Sequence, residues 1–257
     1  SLNYTDNIIG DVGVGFRYSN INYGYDKVTI LENTLIPNRI QDQLMSFRVN
    51  YANTFEKIIV STDFAANMYG EFDSRFLTAN VSYNFNKEVT FGFSTQFSSS
   101  PTNYNLLLNQ SNYLNYNWYN LDRFSNVNTA FFKFSLYAPK WFNLDIEYTT
   151  INNFALFSIS NESGSVKPTQ LDQAISTAKI KMDKEFKLGN FALDNVLVYQ
   201  YVDDFSSSIN LPEIVLRNTL YYSNHLFKNK ALFLQTGITF NYFSEYFMDG
   251  YDPLLSE

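Results

Sequence analysis

Chemistry in this chain would have to come from very few residues. The 257 residues include one histidine, His225, and no cysteine. A histidine beside a serine and an orienting amide can serve as the base of a hydrolase, and His225 lies in Ser223-Asn224-His225-Leu226. That stretch reads as a short turn with no convergent partner, so a solvated turn residue is the stronger reading and no enzyme is expected. The carboxylates Asp203-Asp204, Glu162 and Asp249 with Asp252 offer the oxygen ligands that hard cations take. None of them shows the spacing of a cation-binding loop, and neither a metal nor a cofactor is expected. Val12-Gly13-Val14-Gly15-Phe16 is glycine-rich, but no helix follows it, as a phosphate cradle would require. Its glycines read as easing strand curvature or leaving room on one side. The lack of cysteine excludes disulfides, thiolate metal sites and thiol catalysis, and suits an oxidising compartment.

The elements that carry these residues follow from periodicity. Val12, Val14, Phe16 and Tyr18 alternate with Asp11, Gly13, Gly15 and Arg17. The same two-residue period recurs at 45–51, 58–68, 77–85, 89–97, 132–136, 144–148, 178–182, 191–201, 214–222 and 232–242, with a weak segment at Phe154–Ile159 that reads as an extension of the strand before it. Alternation of apolar and polar residues is the signature of strands with one greasy and one polar face. About twelve strands are expected, longer than those of ordinary globular sheets. Aromatic residues make up 18% of the chain, with 25 Phe and 20 Tyr, and only 17% is charged. Disorder is excluded by that aromatic content, and helical membrane spans by the want of a long apolar run. The formal charge of -7 opposes nucleic acid as a partner.

The connections between strands alternate long and short: 26–42, 54–57, 69–75, 86–88, 99–122, 138–142, 151–170, 187–190, 203–211 and 223–230. Tight turns at one end and long loops at the other are the arrangement of an outer-membrane barrel. Lipid offers no hydrogen-bond partners, so a sheet within it has to close on itself. Rings near strand ends, among them Tyr18, Tyr51, Phe85, Phe97, Tyr148, Tyr201, Tyr222 and Tyr242, fall where interfacial girdles belong. A soluble sandwich or barrel would have to bury these rings inside, where a dozen such strands overfill the space. The expected fold is therefore all-β: an antiparallel transmembrane up-and-down β-barrel, a single domain over 1–257.

With the apolar face toward lipid, the lumen would receive Arg17, Arg48, Lys133, Lys179, Lys181 and Arg217 together with Asp11, Asp63, Asp145, Glu147, Asp183 and Asp194. Six cations facing six anions predict either a weakly selective wet pore or a lumen crossed by ion pairs, because selectivity for one sign needs a ring of like charge.

The C-terminal third is more specific. Leu211-Pro212-Glu213, Arg217-Asn218, Tyr221-Tyr222 and Leu226-Phe227-Lys228 are followed by Leu234-Gln235-Thr236-Gly237, Tyr242-Phe243 and Tyr251-Asp252-Pro253. This pattern, over residues 211–253, resembles the putative porin family of Bacteroidota outer membranes. The resemblance implies a Gram-negative outer-membrane location, contact with the lipid bilayer and lipopolysaccharide, and passive diffusion of small solutes. It also implies that this chain, starting at Ser1 without a leader and stopping at Glu257, is an incomplete portion of a longer barrel of about fourteen strands. A structural or scaffolding barrel within a larger secretion or insertion complex, bound to other outer-membrane proteins, is the alternative.

Overall fold

In the computed structural model, which describes residues 1–26, 29–31, 34–159, 164–203, 208–248 and 250–255, twelve strands form one sheet. They are β1 (Leu2–Asp6), β2 (Gly10–Gly24), β3 (Arg39–Phe55), β4 (Ile58–Tyr69), β5 (Arg75–Asn84), β6 (Thr90–Ser100), β7 (Val127–Tyr137), β8 (Asn143–Asn152), β9 (Ile175–Leu188), β10 (Phe191–Asp203), β11 (Ile214–Leu226) and β12 (Leu232–Phe243). Each strand pairs antiparallel with its neighbour in sequence, so the sheet is a pure meander. Tight connections lie at one end (7–9, 56–57, 85–89, 138–142, 189–190, 227–231). The other end carries 25–38, 70–74, 101–126, 153–174 and 204–213, all but 70–74 longer than these.

The edges of the sheet are β1 and β12, and among the described residues no pairing joins them. Two expectations are corrected. The segment at Phe154–Ile159 is not an extension of β8. Ala155–Ile159 pairs with Val166–Gln170 as a separate hairpin within the connection between β8 and β9. His225 lies in strand β11 opposite Phe233 rather than in a turn, and the two ring centroids are 5.1 Å apart.

The first turn shows how locally the fold is specified. The Asp6 carboxylate accepts from the amides of Ile8 (2.8 Å) and Ile9 (2.9 Å). Asn53 donates to both of their carbonyls. Gly10 then turns the chain at φ 91, where a Cβ would press into the Ala52 carbonyl and lie 2.7 Å from Asn53 Cβ. Gly10→Ala is expected to cost more than about 1 kcal/mol, read as an earlier midpoint in urea unfolding. An unchanged midpoint would contradict this account of the turn. Gly13 has a different reason: the Asn50 and Asn3 side chains occupy the space that its own would need.

Buried packing is concentrated among the connections at the long-loop end. Ile36, Ile40, Phe72, Leu107 and Leu108 form one core cluster, with Tyr23, Leu44 and Tyr104 against it.

Candidate functional site

The sheet sorts its residues into two chemically distinct faces, and the pairing registers establish which residues share each one. Cross-strand partners lie on the same side of a sheet, as do residues two apart in one strand. From Arg17 opposite Ser46 and Arg48 opposite Ala65 the path runs to Asp63, Thr78, Gln96 and Phe131. It continues through Lys133, Glu147, Lys179 and Gln200, and reaches Asp194, Thr219 and Arg217. All ten charged residues singled out from periodicity (Arg17, Arg48, Asp63, Lys133, Asp145, Glu147, Lys179, Lys181, Asp194 and Arg217) therefore stand on one face.

Two groups of these charges are brought together. Arg48 donates through Nε to Asp63 Oδ1 at 2.8 Å and through Nη2 to Oδ2, a bidentate pair between β3 and β4. Across β7, β8 and β9 the charges interlock. Lys133 Nζ lies 3.1 Å from both Asp145 and Glu147, and Glu147 holds Lys179 at 3.0 Å through its other oxygen. The Ser135 hydroxyl donates to Asp145 at 2.7 Å, and the Asn143 amide to Asp183 at 2.8 Å. Arg17, Lys181, Asp194 and Arg217 stand outside these ion pairs among the described residues. Glu185 and Lys187, absent from the periodicity reading, share the same face and pair with each other, and Tyr221 donates to Glu185.

The opposite face is apolar. A row through Val81, Phe93, Phe134, Ile146, Ile180 and Tyr199 crosses six strands. Among the described residues nothing covers it, and Ile146 is 42% exposed and Phe93 47%. Soluble monomers rarely expose continuous apolar surface on this scale. A polar strip interrupts it where Lys184 donates to the carbonyls of Pro139 and Lys140, and Asn218 donates to Asn195 at 2.7 Å.

Toward the long-loop end the two faces of β2 and β3 exchange character. Past Tyr18 and Met45, the side that carried Phe16 and Phe47 carries Asn20, Asn22, Gln41 and Gln43. The other side, which carried Arg17 and Arg48, carries Ile21, Tyr23, Ile40 and Leu44. The outward apolar band thus ends at Tyr18 and Met45, and the strands run on beyond it.

Among the described residues no group of three or more His, Asp or Glu side chains is placed to hold a metal. Asp204, Glu162 and Asp249 lie outside the described residues. Asp252 instead accepts the Tyr116 hydroxyl at 2.8 Å, joining the 101–126 connection to the tail after β12. That hydrogen bond raises the Tyr116 pKa above the ordinary phenol range. A raised folded value means the tether is at full strength below the unfolded tyrosine value of about 10 and is lost as pH climbs through the folded one. Tyr116→Phe is expected to speed proteolysis of the tail at neutral pH and to remove the further acceleration at alkaline pH. Equal cleavage rates in both proteins would contradict the tether.

A single antiparallel meander with one uncovered apolar face, one charged face and its long connections at one end is the framework of a porin-type all-β protein. The chain belongs to the putative porin family, whose sequence profile matches residues 2–257, far beyond the 211–253 stretch that carries the motif resemblance. No curated protein matches it.

Proposed function

We propose that the chain is an outer-membrane porin of a Gram-negative bacterium of the Bacteroidota, passing small solutes by diffusion along its polar face and catalysing no reaction. The observation that carries this reading is the sorting of charge: all ten of the charged residues Arg17, Arg48, Asp63, Lys133, Asp145, Glu147, Lys179, Lys181, Asp194 and Arg217 stand on one face, opposite the apolar row from Val81 to Tyr199. Lipid, with lipopolysaccharide in the outer leaflet, is the solvent that suits the apolar face. In that solvent the free edges of β1 and β12 have to be paired, so the reading requires closure of the sheet in the membrane, with the polar face inward. The interlocked Lys133, Asp145, Glu147 and Lys179 cancel each other's charge, which supports weak ion selectivity.

Liposome swelling tests this directly. Vesicles carrying the folded protein should admit sugars at rates that fall with solute size. Absence of swelling from protein shown to be folded by heat-modifiable gel mobility would overturn the reading. The second reading, a barrel subunit of a larger assembly, is favoured by the polar strip at Lys184, Asn195 and Asn218, which a neighbouring protein would satisfy better than lipid. Co-extraction of a stoichiometric partner in mild detergent would support it.

A further inference from the structure

The connection 101–126 leaves β6 and enters β7, yet it does not stay above them. Its short helix, Tyr104–Leu107, and the paired residues Leu108–Asn109 and Trp118–Tyr119 reach across the ends of β4 and β5 to β2 and β3. There the Tyr104 ring stacks on Tyr23 at 5.2 Å, and the Tyr25 hydroxyl donates to Asn109 at 2.8 Å. Leu108 is 0% exposed in the cluster with Ile40 and Phe72. Tyr23 and Ile40 stand on the face that carries Arg17 and Arg48, so the connection docks on the polar side of the sheet. Gln110 donates to the Pro37 carbonyl at 3.0 Å. On its other flank Trp118 meets Phe157 of the 153–174 connection with centroids 5.9 Å apart, and Tyr116 holds Asp252 of the tail. A segment rooted between β6 and β7 thus reaches the connections of β2–β3, β4–β5 and β8–β9 and the tail after β12, spanning the long-loop end of the sheet.

We propose that segment 101–126 is the size filter of the pore, a fixed constriction laid over the long-loop mouth and anchored by Leu107 and Leu108 on the Tyr23–Ile40 wall. The inference rests on the porin reading and adds the residues that set its solute limit. The anchor is apolar, so neither salt nor neutral-range pH unlatches it; the filter is a permanent narrowing, not a charge-operated gate.

The test compares the full-length protein with Leu108→Asp in planar bilayers. The substitution sets a carboxylate into the apolar cluster of Ile36, Ile40, Phe72 and Leu107, which is expected to expel the anchor while leaving the sheet intact. Gel mobility reports whether the sheet remains folded, and faster tryptic cleavage after Arg123 reports release. Should Leu108→Asp not fold, a second variant replaces 110–117 by Asn-Gly, a two-residue link suited to the paired ends Asn109 and Trp118. The expected result is a several-fold higher unit conductance and passage of larger sugars in the released protein. A wild type that is silent beside a conducting variant would make the segment a plug, and overturns the filter together with the porin reading. Equal conductance of wild type and a released, folded variant overturns the filter and leaves the porin reading standing. Silence of both overturns the two together.

Discussion

Ile146→Arg is expected to impair folding into bilayers by about 2–4 kcal/mol, the cost of an arginine near the middle of a lipid-facing barrel surface. Ile146 sits between Phe134 and Ile180 in the apolar row, with 42% of its surface uncovered by the protein. In water an arginine at so exposed a position would be harmless, since surface substitutions usually stay within about 0.5 kcal/mol. The environment, and not the fold, supplies the penalty. Thr149→Arg, three residues along the same strand, is the matched control, because Thr149 pairs with Phe131 and Thr177 on the polar face. Urea unfolding in lipid vesicles should show a large loss for Ile146→Arg and little for Thr149→Arg. Equal effects would mean that the two faces do not meet different solvents.

Glu147→Gln is expected to move ion preference toward anions. Glu147 is the bridge of the charge ladder, touching Lys133 with one oxygen and Lys179 with the other. Its neutral isostere keeps the size and one acceptor oxygen but leaves two ammonium groups facing a single carboxylate, Asp145. A local excess of one positive charge attracts anions and repels cations, most strongly at low salt where screening is weak. The stability cost should be small, about 1 kcal/mol or less, because these partly exposed pairs exchange protein contacts for water. Reversal potentials under a potassium chloride gradient should shift in the anion direction while the unit conductance persists. An unshifted reversal potential would place the ladder away from the ion path.

Much of the fold was legible in the sequence because its strands have one apolar and one polar face. Such a strand repeats every two residues, so the strands containing Val12–Tyr18, Val89–Phe97 or Leu144–Tyr148 announce themselves. Strand β1 did not, since Leu2–Asp6 is too short for alternation to stand out. Lys184 concealed the end of β9: it lies on the apolar side and breaks the pattern, hiding Glu185 and Lys187 just beyond it. His225 was misplaced for a related reason, as β11 runs on through residues that look like a turn. The shared face of the ten charged residues was legible from parity alone. Their partners were not, because Arg48 meets Asp63 and Glu147 meets Lys179 only through registers that the pairing strands settle together. Least legible was the docking of Leu106-Leu107-Leu108. Three consecutive apolar residues in a loop say that something is buried, but nothing local says against which wall. The open edges were equally invisible, since alternation reports the faces of a strand and not the partners beside it.

The most direct measurement is single-channel conductance of the full-length purified protein in a planar bilayer. The account predicts discrete ohmic steps of reproducible size with weak ion selectivity, as expected of a wet passage lined by paired charges. No conductance from protein demonstrated to be folded in the same bilayers would contradict it.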